Sequence, residues 1–241
     1  MIFLFSILLH FVLTEKVHTG AIMLRAATSL LSLVIVTAAF QSSAENYVKV
    51  SQETVYAYAT EKSKLVSPIV LSFKSDQSLQ TVELLKSNVK FDLDADGSKE
   101  RTGWINPEDG FLFVDLNRNG VVDSGKELFG EKSGFGPKEY NNGYEALKVF
   151  DTNNSGFVDA EDQYFKLIKV WFDHNSNGIS EKSEIRTLND LQITSFEVQP
   201  TSYQSKTGMG NYIPLTAKFW GPEMCGDQGC HSYDVFFLTV H

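Results

Sequence analysis

The sequence predicts an α+β fold, with paired acidic loops and short helices in the middle of the chain and β-strands flanking them on both sides. Three patterns carry that expectation. Runs rich in β-branched and aromatic residues lie before position 81 and after position 193. Between them, turn-like stretches of Asp, Asn and Gly recur at regular intervals. Beside these stretches, apolar residues fall three and four apart, the spacing of a helix face.

The N-terminal 44 residues read as a targeting segment rather than fold. Met23-Leu-Arg25 is a short basic start, Leu30 to Phe40 an apolar core, and Gln41-Ser-Ser-Ala44 a small-residue end. That order is a signal peptide over 23–44, with cleavage expected after Ala44. Residues 1–22 hold a second apolar run, Ile2 to Leu13, upstream of an internal methionine, and read as a mis-assigned N-terminal extension. The run is too short to span a bilayer as a helix, so no stable membrane anchor is expected after cleavage. Residues 45–241 are expected to form one domain in a secreted or periplasmic protein, with acidic loops over 92–184 and a C-terminal β region over 193–241.

In that domain Tyr47 to Val50, Val55 to Tyr58 and Ile69 to Phe73 read as strands, as do Ile193 to Val198, Tyr212 to Trp220 and Tyr233 to Val240. Tyr164, Phe165, Ile168, Trp171 and Phe172 share one face of an expected helix over 160–172. Further short helices are expected at Tyr144 to Phe150 and Glu184 to Leu191. Pro107, Asp109 and Gly110 point to a hairpin instead. The two cysteines, Cys225 and Cys230, stand five apart around glycines, most simply a disulfide closing a small loop. A zinc site with His231 needs more ligands than the neighbourhood offers. The chain carries −9 overall and +1 within residues 1–44, leaving −10 on the remainder. Such a surface excludes nucleic acid as a partner.

The acids cluster in four loops. From Asp173 the chain matches the twelve-residue EF-hand calcium pattern: Asp173, Asn175, Asn177, Glu181 and Glu184 offer side-chain oxygens, Ile179 its carbonyl, and Gly178 the sharp turn. His174, at position 2, points outward. From Asp151 the ligands are Asp151, Asn153, Ser155, Asp159 and Asp162, with the Phe157 carbonyl. From Asp115 they are Asp115, Asn117, Asn119 and Asp123. Position 12 is Lys126, so Glu127 must close a bulged loop. From Asp92 they are Asp92, Asp94, Asp96 and Glu100. Position 12 is Gly103, so the closing carboxylate must come from elsewhere, with Asp109 the candidate. The loops form two pairs, 23 and 22 residues apart internally and offset by 59 and 58. Calcium is the expected cofactor, since it is a hard cation that takes six to eight oxygens.

Thr102-Gly-Trp104, Glu108-Asp-Gly-Phe-Leu112, Glu127-Leu-Phe-Gly130, Asn142-Gly-Tyr-Glu-Ala-Leu147, Lys169-Val-Trp171 and Glu184-Ile-Arg-Thr-Leu188 alternate with these loops. This series, over roughly Ser67 to Phe237, resembles the calcium-dependent self-processing module of iron-regulated Frp-type RTX proteins. The resemblance implies calcium binding through the loops. It also implies self-cleavage at an Asp-Pro bond, where the aspartate attacks its own carbonyl and leaves an anhydride able to join a lysine. The matching stretch here is Ser67-Pro68-Ile69-Val70-Leu71, and no Asp-Pro occurs in the chain. Serine lacks the carboxylate that forms the anhydride, so no self-cleavage is expected. The acidic loop that follows is also eroded, to Ser72-Phe-Lys-Ser-Asp76-Gln. No nucleophile elbow or zinc helix motif is present, so no other enzymatic activity is expected. A second function class is an adhesion or interaction module rigidified by calcium, binding an unidentified protein or glycan through Tyr203, Tyr212, Phe219 and Trp220.

Overall fold

The computed structural model describes residues 63–74, 78–136, 139–207 and 211–240. The expected extension, signal peptide and strands at 47–50 and 55–58 lie outside these residues. Lys62–His241 forms one compact unit.

The α+β expectation is overturned: the unit is mainly antiparallel β. Its strands are β1 (Ser63–Val66), β2 (Ile69–Leu71), β3 (Thr81–Val82), β4 (Lys90–Phe91), β5 (Glu100–Thr102), β6 (Trp104–Ile105) and β7 (Gly110–Val114). The second half adds β8 (Phe157–Asp159), β9 (Ile168–Trp171), β10 (Ile185–Thr187), β11 (Ser195–Glu197), β12 (Thr201–Thr207), β13 (Asn211–Trp220) and β14 (Cys230–Val240). Twelve of these join one sheet whose main path runs β10-β9-β7-β2-β14-β13-β11-β8. The expected C-terminal strands are present, and the long β13–β14 hairpin anchors the sheet. Cys225 and Cys230 form the disulfide in the turn between its strands.

Both faces of this sheet are buried. Ile69, Leu71, Leu112, Val114, Ile168 and Val170 face one core. Their neighbours Val70, Phe111, Phe113 and Trp171 face the other, with Tyr233, Val235 and Phe237 of β14. The alternation is the two-residue period of a strand. The second core is an aromatic cluster in which Trp104 lies 4.9 Å from Phe111 and 5.7 Å from Trp171, centroid to centroid.

The expected helix over 160–172 does not form; a turn, a single 3-10 turn at Phe165–Leu167 and strand β9 replace it. Its apolar spacing comes from a strand buried on both sides. Such a strand reads as a near-continuous apolar run and cannot be told from a helix by periodicity. The helix expected at 184–191 is likewise absent. Ile185–Thr187 pairs with β9, and the Thr187 and Asp190 side chains close the following turn by accepting from each other's backbone N–H. Near Pro107 a tight turn does form, with Asp109 N donating to Asn106 O at 3.0 Å. The strands beside it do not pair as a hairpin, since β6 pairs β3 while β7 pairs β2 and β9.

Among the described residues one α-helix forms, α1 (Gly143–Leu147), which continues into a 3-10 turn to Phe150. The Asn142 side chain caps it by accepting from Glu145 N at 3.0 Å. Gly143 is required here, because a Cβ would sit 2.6 Å from both Ile69 Cγ1 and Phe129 O.

Candidate metal centre

Four loops leave the rim of this fold with one shared backbone form. The fourth residue of each, Ala95, Arg118, Asn154 and Ser176, has φ between 54° and 61°. The sixth is always a glycine with positive φ: Gly97, Gly120, Gly156 and Gly178. Two left-handed residues so close together are costly without compensating contacts, and glycine halves the problem.

The compensation is a repeated hydrogen-bond scheme. The position-1 carboxylate accepts from the glycine N–H in every loop: Asp92 from Gly97 at 3.1 Å, Asp115 from Gly120 at 3.0 Å, Asp151 from Gly156 at 3.0 Å and Asp173 from Gly178 at 2.8 Å. Position 3 accepts from the N–H of position 5, through Asp94, Asn117, Asn153 and Asn175. Position 5 accepts from the N–H of position 7, through Asp96, Asn119, Ser155 and Asn177. Each loop therefore turns its first, third and fifth side chains inward.

A closing carboxylate accepts the N–H of position 2 in all four. Glu184 takes His174 N at 3.0 Å and Asp162 takes Thr152 N at 2.6 Å, as their spacing predicts. Glu127, not Lys126, closes the third, with Leu116 N and Asp123 N each at 2.9 Å. In the Asp92 loop the closing acid is Glu100 itself, accepting from Leu93 N at 2.7 Å. Asp109 has no part in that loop. Burial raises the carboxyls of Asp92, Glu100, Glu127 and Glu184. Asp162 goes the other way: burial would raise it, but hydrogen bonds from Asp159, Thr152 and Asn153 outweigh that.

The flanking elements are not those of an EF-hand pair. The loops at 92, 115 and 173 follow β4, β7 and β9, and only the Asp151 loop follows helical residues. The pairing also differs from the tandem order in the chain. Position 8 of the Asp115 loop meets position 8 of the Asp173 loop, where Val122 N donates to Ser180 Oγ at 3.0 Å. The Asp92 loop joins them, as Gly125 N donates to Asp92 O at 2.8 Å. The Asp151 loop stands apart, its β8 residues pairing with β11.

Asp92, Asp94 and Glu100 bring one oxygen each within 4.8 Å of one another, a group able to hold a metal ion. Asp92 Oδ1 and Glu100 Oε2 are buried and accept no hydrogen bond. The same holds for Asp115 Oδ1 and Glu181 Oε2 in the neighbouring loops. Buried carboxylate oxygens left without a donor are costly and fit a hard cation. At position 9, Asp123 Oδ2 accepts from the Asn117 and Asn119 side-chain amides, both at 2.7 Å, and Glu181 Oε1 from Asn177 at 3.1 Å. For those asparagines to offer oxygen to an ion, the amides must turn.

Two features escaped the sequence. Lys64 Nζ lies 2.5 Å from Asp94 Oδ2, and Lys169 Nζ 3.3 Å from Asp115 Oδ2. Two buried indoles also hold carboxylates of the Asp173 loop: Trp104 Nε1 donates to Asp173 Oδ2 at 2.7 Å, and Trp171 Nε1 to Glu184 Oε2 at 3.2 Å. Lysine and tryptophan carry no metal-ligand signature; Trp104, Lys169 and Trp171 lie between the loops in sequence, and Lys64 precedes them all. Of the four aromatics named for a binding patch, Phe219 is buried in the core and Tyr203 packs on Tyr233, while Trp220 is partly exposed and Tyr212 exposed.

The iron-regulated protein FrpA of Neisseria meningitidis serogroup C is 34% identical over 154 residues, 63% of this chain. Those residues are 14% of FrpA, so the chain spans a small part of that relative. A family profile for the SPM domain matches residues 69–237, which take in the strands from β2 onward and all four loops. The chain belongs to the SPM domain family.

Proposed function

We propose that the protein is an exported calcium-binding protein whose EF-hand-like loops bind Ca²⁺ and stabilise the fold. The observation that carries this reading is the set of buried carboxylate oxygens without hydrogen-bond donors in three adjoining loops. Asp92, Asp94 and Glu100 would hold one ion, with Asp96 at the rim. Asp115, Asn117, Asn119, Asp123 and Glu127 would hold a second. Asp173, Asn175, Asn177, Glu181 and Glu184, with the Ile179 carbonyl, would hold a third. The Asp151 loop would hold a fourth with Asn153, Ser155, Asp159, Asp162 and the Phe157 carbonyl. Bound calcium would neutralise acids that otherwise repel one another. The disulfide suits an oxidising, extracytoplasmic setting.

Titration calorimetry of the protein with Ca²⁺ and Mg²⁺ tests the reading. Saturable, calcium-selective binding that weakens in Asp173→Asn is expected; no binding heat in the parent protein would remove it.

The protein would not cleave itself. Ser67 stands where the processing chemistry needs an acid, and its hydroxyl cannot form the anhydride. Intact mass after prolonged incubation in calcium should be unchanged. A fragment beginning at Pro68 would refute this.

A further inference from the structure

Outside the four loops, one carboxylate among the described residues is buried with no close hydrogen-bond donor on either oxygen. Asp109 has no exposed surface; neither oxygen has a donor at ordinary hydrogen-bond distance, and the longer-range pull of Lys74 and Ser72 is what favours its charge. Its position follows from strand register. Leu71 of β2 pairs with Gly110 of β7, so Asp109 lies across from Ser72 just beyond the end of the ladder. Phe73 packs on Phe172 and Phe219, with centroids at 5.3 and 5.5 Å, which fixes the segment after β2. Lys74 Nζ then stands 3.7 Å from Asp109 Oδ2.

We propose that the Lys74 ammonium takes the place of a divalent cation beside Asp109, making this corner a latent calcium site closed by a side chain. Three observations converge on it. Ser72 and Lys74 stand two apart, the spacing of positions 1 and 3 in the four loops, just after the end of β2. Asp109 supplies from another segment a carboxylate with both oxygens open, as a hard cation requires. The ammonium is too far away for a normal hydrogen bond, so it compensates charge without saturating those oxygens. The Asp109 carboxyl rises to about 6, because burial outweighs the pull of Lys74 and Ser72.

The counterion role is tested first in chelator, independently of the calcium reading. Lys74→Met should lower the unfolding midpoint, because it strands a buried charge. Adding Asp109→Asn in that background should restore most of the loss, and strictly additive effects would overturn the role. The latent site is tested second and rests on the calcium reading. By native mass spectrometry, Lys74→Asp should bind one more Ca²⁺ per chain than the parent, and Lys74→Asp/Asp109→Asn should lose it. Lys74→Asn, which adds an oxygen without a charge, is the second variant where Lys74→Asp fails to fold. A calcium count in either variant equal to that of the parent would overturn the latent site. A parent that binds no calcium would instead count against the four loops, leaving the chelator experiment intact.

Discussion

Glu127→Gln against Lys126→Gln tests the closing geometry most sharply, because adjacent residues compete for one role. The sequence places Lys126 at position 12, but the structure gives the work to position 13. Both Glu127 oxygens accept backbone N–H groups of its own loop, from Leu116 and Asp123, at 2.9 Å each. A carboxylate satisfies both; an amide satisfies one and turns its own NH₂ against the other. Losing one charge-assisted bond costs about 1.5–3 kcal/mol, and the surviving bond weakens to a neutral one, roughly half as strong. Burial disfavours the charge being removed, so part of that loss returns. The net is about 2 kcal/mol, which for a unit the size of Lys62–His241 lowers the midpoint by roughly 4–8 °C. Lys126 is exposed and its side chain closes nothing, so Lys126→Gln should stay within about 0.5 kcal/mol. Thermal unfolding followed by near-UV circular dichroism, in chelator and in calcium, provides the comparison. The gap should widen in calcium, where Glu127→Gln also removes a ligand. A Lys126→Gln variant that loses as much as Glu127→Gln would refute the closing role.

Two further outcomes follow from other parts of the fold. Asp234 is fully buried, its Oδ1 accepts from Gly143 N at 3.0 Å, and burial raises its carboxyl from 3.8 to about 7. The folded state thus holds that proton more tightly than the unfolded chain, so its contribution is complete below about pH 4 and lost as pH rises through about 7. Asp234→Asn keeps an acceptor for Gly143, and its midpoint relative to the parent should climb across that window in a pH series of melts; a flat difference would contradict the assignment. Cys225 and Cys230 close a loop of sequence separation 5. Replacing both by serine should cost roughly 2 kcal/mol by the chain-entropy estimate, read as a fall in denaturation midpoint.

What the sequence disclosed was local chemistry. The turns of the four loops could be placed from the sequence, because Asp and Asn two apart with glycine at position 6 mark a tight, self-bonded turn. The disulfide and the short helix after Asn142 were equally plain, each resting on a contact between near neighbours. What it concealed was tertiary. Ile168, Val170 and Phe172 face one core and Trp171 the other, so a central strand imitated a helix face. Glu100 could not be seen as the closing acid of its loop, because that depends on how the chain folds back onto Leu93 N. The partnership of the Asp115 and Asp173 loops was hidden too, since β9 and β7 must pair before Val122 can reach Ser180.

We propose that these loops are working calcium sites that hold the fold together. Thermal unfolding of the protein, calcium-loaded against chelated and with a magnesium control, tests it directly. A ligand that binds only the folded state adds about 2.7 kcal/mol at a hundredfold excess over Kd, so even one filled site should raise the midpoint by roughly 5–10 °C. A rise of at least that size, selective for calcium, is expected. Equal midpoints in calcium and chelator would contradict it.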